Sequence, residues 1–137
     1  MTSDRPRMPT ILVVDDHAMV RDAVVAALRA EGWWSMTAAD ASSAIQKFSG
    51  VESIDLVLSD IQMPGEIDGI GLARWVRENR PELPVILTTG GIYRRDQVAF
   101  DEEVIPKPYQ IDFIIVRMKA RLAAVGWNPL TLKRDRR

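Results

Sequence analysis

The stretch LVLSDIQMPGEIDG, residues 56–69, places an acidic side chain at the end of an apolar run. The run is typical of a buried β-strand, it ends on Asp60, and a Met63-Pro64-Gly65 break follows. Burying a lone carboxylate is costly unless a partner or a metal ion neutralises it. The sequence therefore predicts that other charged groups meet Asp60 at this end of the strand.

Short apolar runs alternate with helical patterns on both sides of this stretch. Five runs, which we interpret as strands, cover residues 10–15, 34–39, 55–60, 84–89 and 102–107. The helical patterns run from Val20 to a stop at Gly32, from Asp40 to Phe48, over 69–79 and over 109–125. Strands that are apolar on both faces and separated by helices indicate a parallel sheet covered on two sides. We therefore predict a five-stranded α/β sandwich, with room in 90–102 for a helix of only a turn or two.

Composition and charge restrict the classes of function. The 137 residues suffice for one domain, and 47% apolar with 27% charged residues predict a packed core rather than disorder. The net charge of −1 argues against a nucleic-acid binder, and the lack of cysteine excludes disulfides and thiolate chemistry. With no signal peptide or membrane-spanning run in the sequence, we expect a cytoplasmic protein. Its domain is expected at 10–125, between a flexible tail at 1–9 and a basic tail at 126–137.

Polar side chains stand where the predicted strands end. Parallel α/β sheets place their sites at the carboxyl ends of strands, so these side chains are expected to converge. Three close carboxylates repel unless a cation neutralises them, and an all-oxygen set suits Mg²⁺. A carboxylate can also act as a nucleophile and form an aspartyl-phosphate, with a lysine and a hydroxyl positioning the phosphoryl oxygens. The side chains concerned are Asp15, Asp16, Asp60, Thr88, Thr89 and Lys107.

Four short motifs in fixed order carry a resemblance to a known family. They are VVDD at 13–16, LVLSDIQMPGEIDG at 56–69, PVILTTG at 84–90 and PKPY at 106–109. Together they resemble the receiver domain of two-component response regulators, over residues 10–125. The resemblance implies a flavodoxin-like three-layer sandwich with strand order 2-1-3-4-5, whereas the short segment 90–102 of this chain predicts a shortened fourth helix. Pro106 agrees with that order, because proline is tolerated chiefly on an edge strand.

The resemblance also implies a role for each site residue. Asp60 is expected to be the phosphoacceptor, and the expected cofactor is Mg²⁺, held directly by Asp16 and Asp60. The backbone carbonyl of Gln62 is expected to contact the metal as well, and Asp15 is expected to contact it through a water. Thr89 and Lys107 are expected to contact phosphoryl oxygens. The Lys107–Pro108 bond is expected to be cis. Such a domain is not a classical enzyme, since it catalyses only its own phosphorylation and dephosphorylation.

The expected phosphoryl donor is a separate molecule. His17 is the only histidine in the chain, and a loop or first-turn position is its simplest interpretation, so no phosphorylated histidine helix is expected. The donor would be a histidine kinase, a histidine phosphotransfer protein or a small molecule. An effector or a second copy of the chain would bind around the fourth and fifth helices, with no nucleic-acid or membrane partner.

Two departures from the family pattern leave alternatives open. The loop at Gly65-Glu66-Ile67 is one residue longer than usual, which resembles receivers of hybrid histidine kinases. Val104 stands where the family usually has Tyr or Phe, and Tyr93 could supply a substitute ring. The domain could therefore be excised from a longer kinase or regulator, or be a degenerate receiver that binds partners without phosphorylation. A phosphohydrolase with an aspartyl-phosphate intermediate is disfavoured, because the first strand lacks a DxD pattern. We expect the residues after 125 to be too few for a DNA-binding output domain.

Overall fold

The computed structural model describes residues 8–50, 53–99 and 102–128, and these ranges contain a five-stranded parallel sheet. The strand order β2-β1-β3-β4-β5 confirms the predicted flavodoxin-like topology. The five strands are β1 (Thr10–Val14), β2 (Trp34–Ala38), β3 (Leu56–Asp60), β4 (Val85–Thr89) and β5 (Glu103–Pro106). Each strand lies within its predicted run, and β5 is at the edge, where Pro106 is tolerated.

Four α-helices in the described ranges cover the two faces of the sheet. They are α1 (Ala18–Ala30), α2 (Ala41–Lys47), α3 (Gly69–Asn79) and α4 (Ile111–Ala124). Aspartates begin two of them, since Asp40 Oδ1 accepts a hydrogen bond from Ser43 N at 2.7 Å and Asp68 Oδ1 accepts one from Gly71 N at 2.9 Å. In the described part of the connection between β4 and β5, the helical structure is one 3₁₀ turn, Arg95–Gln97, in agreement with the predicted short helix.

The alternation of side chains along the central strands divides the core into two layers. Ile11 and Val13 of β1 face α1 and α4, whereas Leu12 and Val14 face α2 and α3. Trp127 is 2% exposed and packs in the layer that contains α1 and α4. The packed part of the chain therefore continues past residue 125, the predicted end of the domain. Residues 1–7 and 129–137 of the predicted tails lie outside the described residues.

No helix in the described ranges is both long enough and apolar enough to cross a membrane.

Asp55 anchors the beginning of the β1–β3 pair. Its Oδ2 accepts a hydrogen bond from Thr10 N at 2.8 Å, and both residues are buried. We expect Asp55→Ala to lower the free energy of unfolding by about 1–3 kcal/mol, because the buried N–H of Thr10 would lose its acceptor. Urea denaturation measures the change. The exposed Asp112→Ala is the matched control and should change stability by about 0.5 kcal/mol or less; equal effects would contradict the anchoring role.

Candidate functional site

Three strand ends bring two carboxylates and one ammonium group together. β1 and β3 are neighbours, with Val14 opposite Ser59, so the residues that follow, Asp15 and Asp60, meet at the same edge of the sheet. Lys107, which follows β5, places its Nζ 3.0 Å from Asp15 Oδ2 and 3.2 Å from Asp60 Oδ2. Both carboxylate side chains are only 5% exposed. A single lysine therefore holds two buried acids.

Asp16 and His17 extend this group toward solvent. His17 Nδ1 lies 3.2 Å from Asp15 Oδ1 and 3.2 Å from Asp16 Oδ1. The backbone N–H of His17 also donates to Asp15 Oδ1 at 2.9 Å. Taking one ligand atom each from Asp15, Asp16, His17 and Asp60, all four atoms lie within 4.8 Å of one another. The structure thus places the imidazole beside the predicted carboxylates, while His17 stands directly before α1, in agreement with a loop or first-turn position.

The negative charge of Asp60 is incompletely compensated. Burial raises the pKa of Asp60 above its usual range, and this effect outweighs the opposing attraction of Lys107. Burial alone would lower the pKa of Lys107, but its hydrogen bond to Asp15 and the charges of Asp15 and Asp60 raise that pKa overall. Asp60 Oδ1 is buried and accepts no hydrogen bond of normal geometry from the described ranges, although the nearby backbone N–H of Gln62 slightly lowers the pKa of this carboxyl. A second cation beside Asp60 would neutralise the remaining charge, so the donor set fits Mg²⁺.

Thr89 does not contact the acidic group. Its Oγ1 donates to the side-chain Oε1 of Gln62 at 2.9 Å and accepts a hydrogen bond from Gly91 N at 3.2 Å. The Nε2 of Gln62 in turn donates to the carbonyl of Ile92 at 3.4 Å. The hydroxyl is therefore occupied by the loops after β3 and β4, and its contact with a phosphoryl oxygen stays a prediction. Thr88 lies opposite Asp60 in the sheet and is 2% exposed, so it is a buried residue of β4.

Lys107 is positioned by a backbone hydrogen bond to β4. Its N–H donates to the carbonyl of Thr89 at 2.7 Å, which continues the β4–β5 ladder by one residue. The Lys107–Pro108 peptide bond is cis, as the resemblance implied. The ladder therefore determines where the stem of the lysine begins.

Some contacts around the site were absent from the sequence interpretation. The guanidinium of Arg21, on α1, donates to the carbonyl of Asp15 at 2.7 Å. Tyr109 is half-buried, and burial raises its pKa, opposed by the charge of Lys107. A β-carbon on Gly69 would lie 2.0 Å from the carbonyl oxygen of Asp60, so α3 begins in contact with the acceptor strand. The glycine after Asp68 was the only sequence signal for this approach.

The two residues that bear on the switching mechanism are Val104, which stands at the usual aromatic position, and Tyr93, which could supply a substitute ring. Val104 and Tyr93 are both partly buried and pack against the core layer that contains α2 and α3. Ile92, next to Tyr93, is 99% exposed. A switching role for Tyr93 stays a prediction.

Known proteins resemble this chain in sequence. The family model of the response regulator receiver domain matches residues 11–118. TcrX of Mycobacterium tuberculosis, a probable transcriptional regulatory protein, is 34% identical over 121 residues, which is 85% of this chain and 51% of TcrX. NtrC of Escherichia coli, a DNA-binding transcriptional regulator, is 32% identical over 108 residues, which is 74% of this chain and 22% of NtrC. This chain therefore spans about half the length of TcrX and about a fifth of NtrC.

Solved structures share the fold as well. A CheY-like receiver domain protein from Methanospirillum hungatei has a TM-score of 0.77 and 26% identity, covering 86% of this chain and 96% of that one. TrrA of Thermotoga maritima, a response regulator protein solved in complex with Mg²⁺-BeF, has a TM-score of 0.72 and 31% identity. That match covers 83% of this chain and 99% of TrrA.

Proposed function

The chain belongs to the response regulator receiver domain family, and from that premise we propose that Asp60 accepts a phosphoryl group in two-component signalling. The observation that carries the proposal is the buried Asp60, with one oxygen on Lys107 and the other without a hydrogen-bond partner in the described ranges. A carboxylate oxygen that no donor occupies is available as a nucleophile.

The protein groups that take part in the transfer lie at the end of the sheet. An oxygen of Asp60 forms a bond to phosphorus while the bond between phosphorus and the donor breaks, and the leaving group keeps the electron pair. Lys107 lies within hydrogen-bond distance of Asp60. Its ammonium group can donate a hydrogen bond to a phosphoryl oxygen and stabilise the negative charge there. Phosphoryl transfer depends mainly on such positioning and charge stabilisation.

Mg²⁺ is the cofactor we propose. Asp16 and Asp60 would hold it directly, with the backbone carbonyl of Gln62, and Asp15 would act through a water. When bound, it supplies positive charge for the phosphoryl oxygens. Two features support this choice: the unpartnered oxygen of Asp60, and the similar protein TrrA, which was solved with Mg²⁺-BeF. The carboxylate of Asp16, 31% exposed, is accessible to an incoming ion.

The partners and cellular place follow from the same proposal. The donor would be a histidine kinase, a histidine phosphotransfer protein or a small acyl phosphate, in the cytoplasm. Phosphorylation would change the affinity for an effector or a second copy through α4 and the segment between β4 and β5. On α4, Phe113 and Val116 are exposed at 49% and 59%, which gives that surface apolar groups for a partner.

The intact mass after brief exposure to acetyl phosphate tests the proposal. We expect one added phosphoryl group when Mg²⁺ is present, none in EDTA, and none in Asp60→Asn. Asp112→Asn, an exposed acid on α4, is the matched control and should still be modified. No addition at several short times would instead favour a receiver that binds partners without phosphorylation, an alternative to which the occupied hydroxyl of Thr89 lends some support.

A further inference from the structure

His17 adds a nitrogen donor to a site whose other donors are oxygens. It is the only histidine in the chain, and the proposed phosphoryl transfer does not use it. We propose that Asp15, Asp16, His17 and Asp60 form a Zn²⁺ site, and that Zn²⁺ bound there competes with Mg²⁺ and blocks phosphorylation of Asp60. This inference rests on the same acidic pocket as the proposed function and adds a regulatory ion to it.

The position of the imidazole agrees with a shared metal ion. Zinc bonds of roughly 2.0–2.2 Å in a tetrahedron place neighbouring ligand atoms roughly 3.3–3.6 Å apart. His17 Nδ1 lies 3.2 Å from an oxygen of Asp15 and 3.2 Å from an oxygen of Asp16, close to that separation. The widest separation within the four ligand atoms is at most 4.8 Å. Movement of side chains alone would bring the four ligand atoms to the separations of a tetrahedral zinc site.

Those movements are available at the two outer ligands. The side chain of His17 is 67% exposed and that of Asp16 is 31% exposed, so both can rotate without disturbing the core. The backbone of His17 is meanwhile held in place, because its carbonyl accepts hydrogen bonds from Val20 and Arg21 at the start of α1, both at 3.1 Å. The ring can therefore swing while its attachment point stays beside the carboxylates.

A separate observation points to a cation at the inner end of the site. Asp60 is 4% exposed, and its Oδ1 accepts no hydrogen bond from any group in the described ranges. A buried carboxylate oxygen without a donor is costly, and a metal ion removes that cost. Asp60 supplies the buried member of the four-residue group, and the exposed side chain of His17 lies at its solvent side.

Ligand chemistry then separates the two ions. Imidazole nitrogen is a good ligand for zinc, whereas Mg²⁺ prefers oxygen and keeps several waters. His17 should therefore strengthen zinc binding and add little for Mg²⁺. Four protein ligands complete the tetrahedron of a zinc site and leave no open position. A phosphoryl oxygen could not then reach the ion, so zinc would inhibit the transfer that Mg²⁺ supports.

Titration of the untagged protein with Zn²⁺ and with Mg²⁺ tests this inference directly. The single histidine makes nitrogen NMR of the imidazole specific for His17, and we expect its Nδ1 signal to shift on zinc addition at pH 7.5. In His17→Asn we expect zinc affinity to fall at least about tenfold and Mg²⁺ affinity to change less than about twofold. Asparagine is a favoured residue at a helix N-terminus, so α1 should begin normally, which thermal unfolding checks.

The outcomes separate this inference from the proposed function. An unmoved imidazole signal at saturating Zn²⁺, or equal losses of Zn²⁺ and Mg²⁺ affinity in His17→Asn, would overturn the zinc site, because His17 would then be only a helix-terminal residue. Neither titration contains a phosphoryl donor, so a failure of phosphorylation does not affect the result. In the transfer assay at fixed Mg²⁺, zinc should inhibit the wild type at lower concentration than His17→Asn; equal inhibition would contradict the proposed competition.

Discussion

Gly69→Ala is expected to lower the free energy of unfolding by about 3 kcal/mol or more. The added β-carbon would lie 2.0 Å from the carbonyl oxygen of Asp60 and 2.7 Å from the Cα of Ile61. Both obstacles are backbone atoms of the acceptor strand and its continuation, so no side-chain rotation relieves the clash. The backbone N–H of Gly69 also donates to the carbonyl of Ile61 at 2.9 Å, and separating α3 from β3 would lengthen that bond. Urea denaturation gives the change in free energy.

Gly71→Ala is the matched control in the same helix. Its β-carbon would meet Cγ2 of Ile67 at 2.8 Å, and Ile67 is a partly buried side chain that can move. Alanine also has the higher helix propensity, by about 1 kcal/mol, so the net change should be within about 1 kcal/mol. Equal losses of unfolding free energy in the two variants would contradict the prediction that the close approach of α3 to Asp60 excludes a β-carbon at position 69. Any folded Gly69→Ala protein should also accept phosphoryl groups poorly, since its acceptor strand must shift.

Lys107→Met is expected to slow phosphorylation of Asp60 on the order of 10²-fold. The ammonium group lies within 3.0 Å of Asp15 Oδ2 and 3.2 Å of Asp60 Oδ2, and its removal leaves two buried carboxylates facing each other. Without divalent ions we expect a loss of about 1–2 kcal/mol in stability, reduced from the value for a fully buried pair because Lys107 is 21% exposed. The initial rate of mass addition and thermal unfolding with and without Mg²⁺ measure the two effects.

Lys119→Met is the control for a general effect of removing a lysine. Lys119 pairs with Glu31 at 2.8 Å on the surface, where an ion pair contributes about 1 kcal/mol or less. It should leave the rate of phosphorylation unchanged. Mg²⁺ should stabilise Lys107→Met more than the wild type, because the ion would then be the only cation between the two acids. The same gain in both proteins would indicate that Lys107 does not neutralise this pair.

Local patterns were sufficient for the sheet and its helices. Apolar runs bounded by polar residues predicted all five strands, since strands covered on both faces must be apolar on both faces. The cap at Asp40 and the range 69–79 of α3 also followed from local chemistry, because a helix end must satisfy its own N–H groups. The strand order came from the family resemblance, with Pro106 as its local support.

Those patterns could not predict contacts between residues that are far apart in the sequence. Trp127 belongs to the predicted C-terminal tail because no repeating pattern includes it, yet it is buried in the core layer that contains α1 and α4. The hydrogen bond from the hydroxyl of Thr89 to the side chain of Gln62 has no local sequence signal, and the phosphoryl contact of Thr89 stays a prediction. Which partner a polar group finds depends on how loops from separate strands approach each other, and that is not encoded in local spacing.

The sequence by itself determined that a parallel sheet would collect acids, a hydroxyl and a lysine at one edge, because polar residues end its apolar strands. Only the tertiary structure decided how those groups are shared. Lys107 reaches two carboxylates at once, one oxygen of Asp60 lacks a hydrogen bond from the described residues, and the imidazole of His17 faces the same acids. These arrangements depend on how separate strands and loops are placed relative to one another, and only the packing of the whole domain sets that placement.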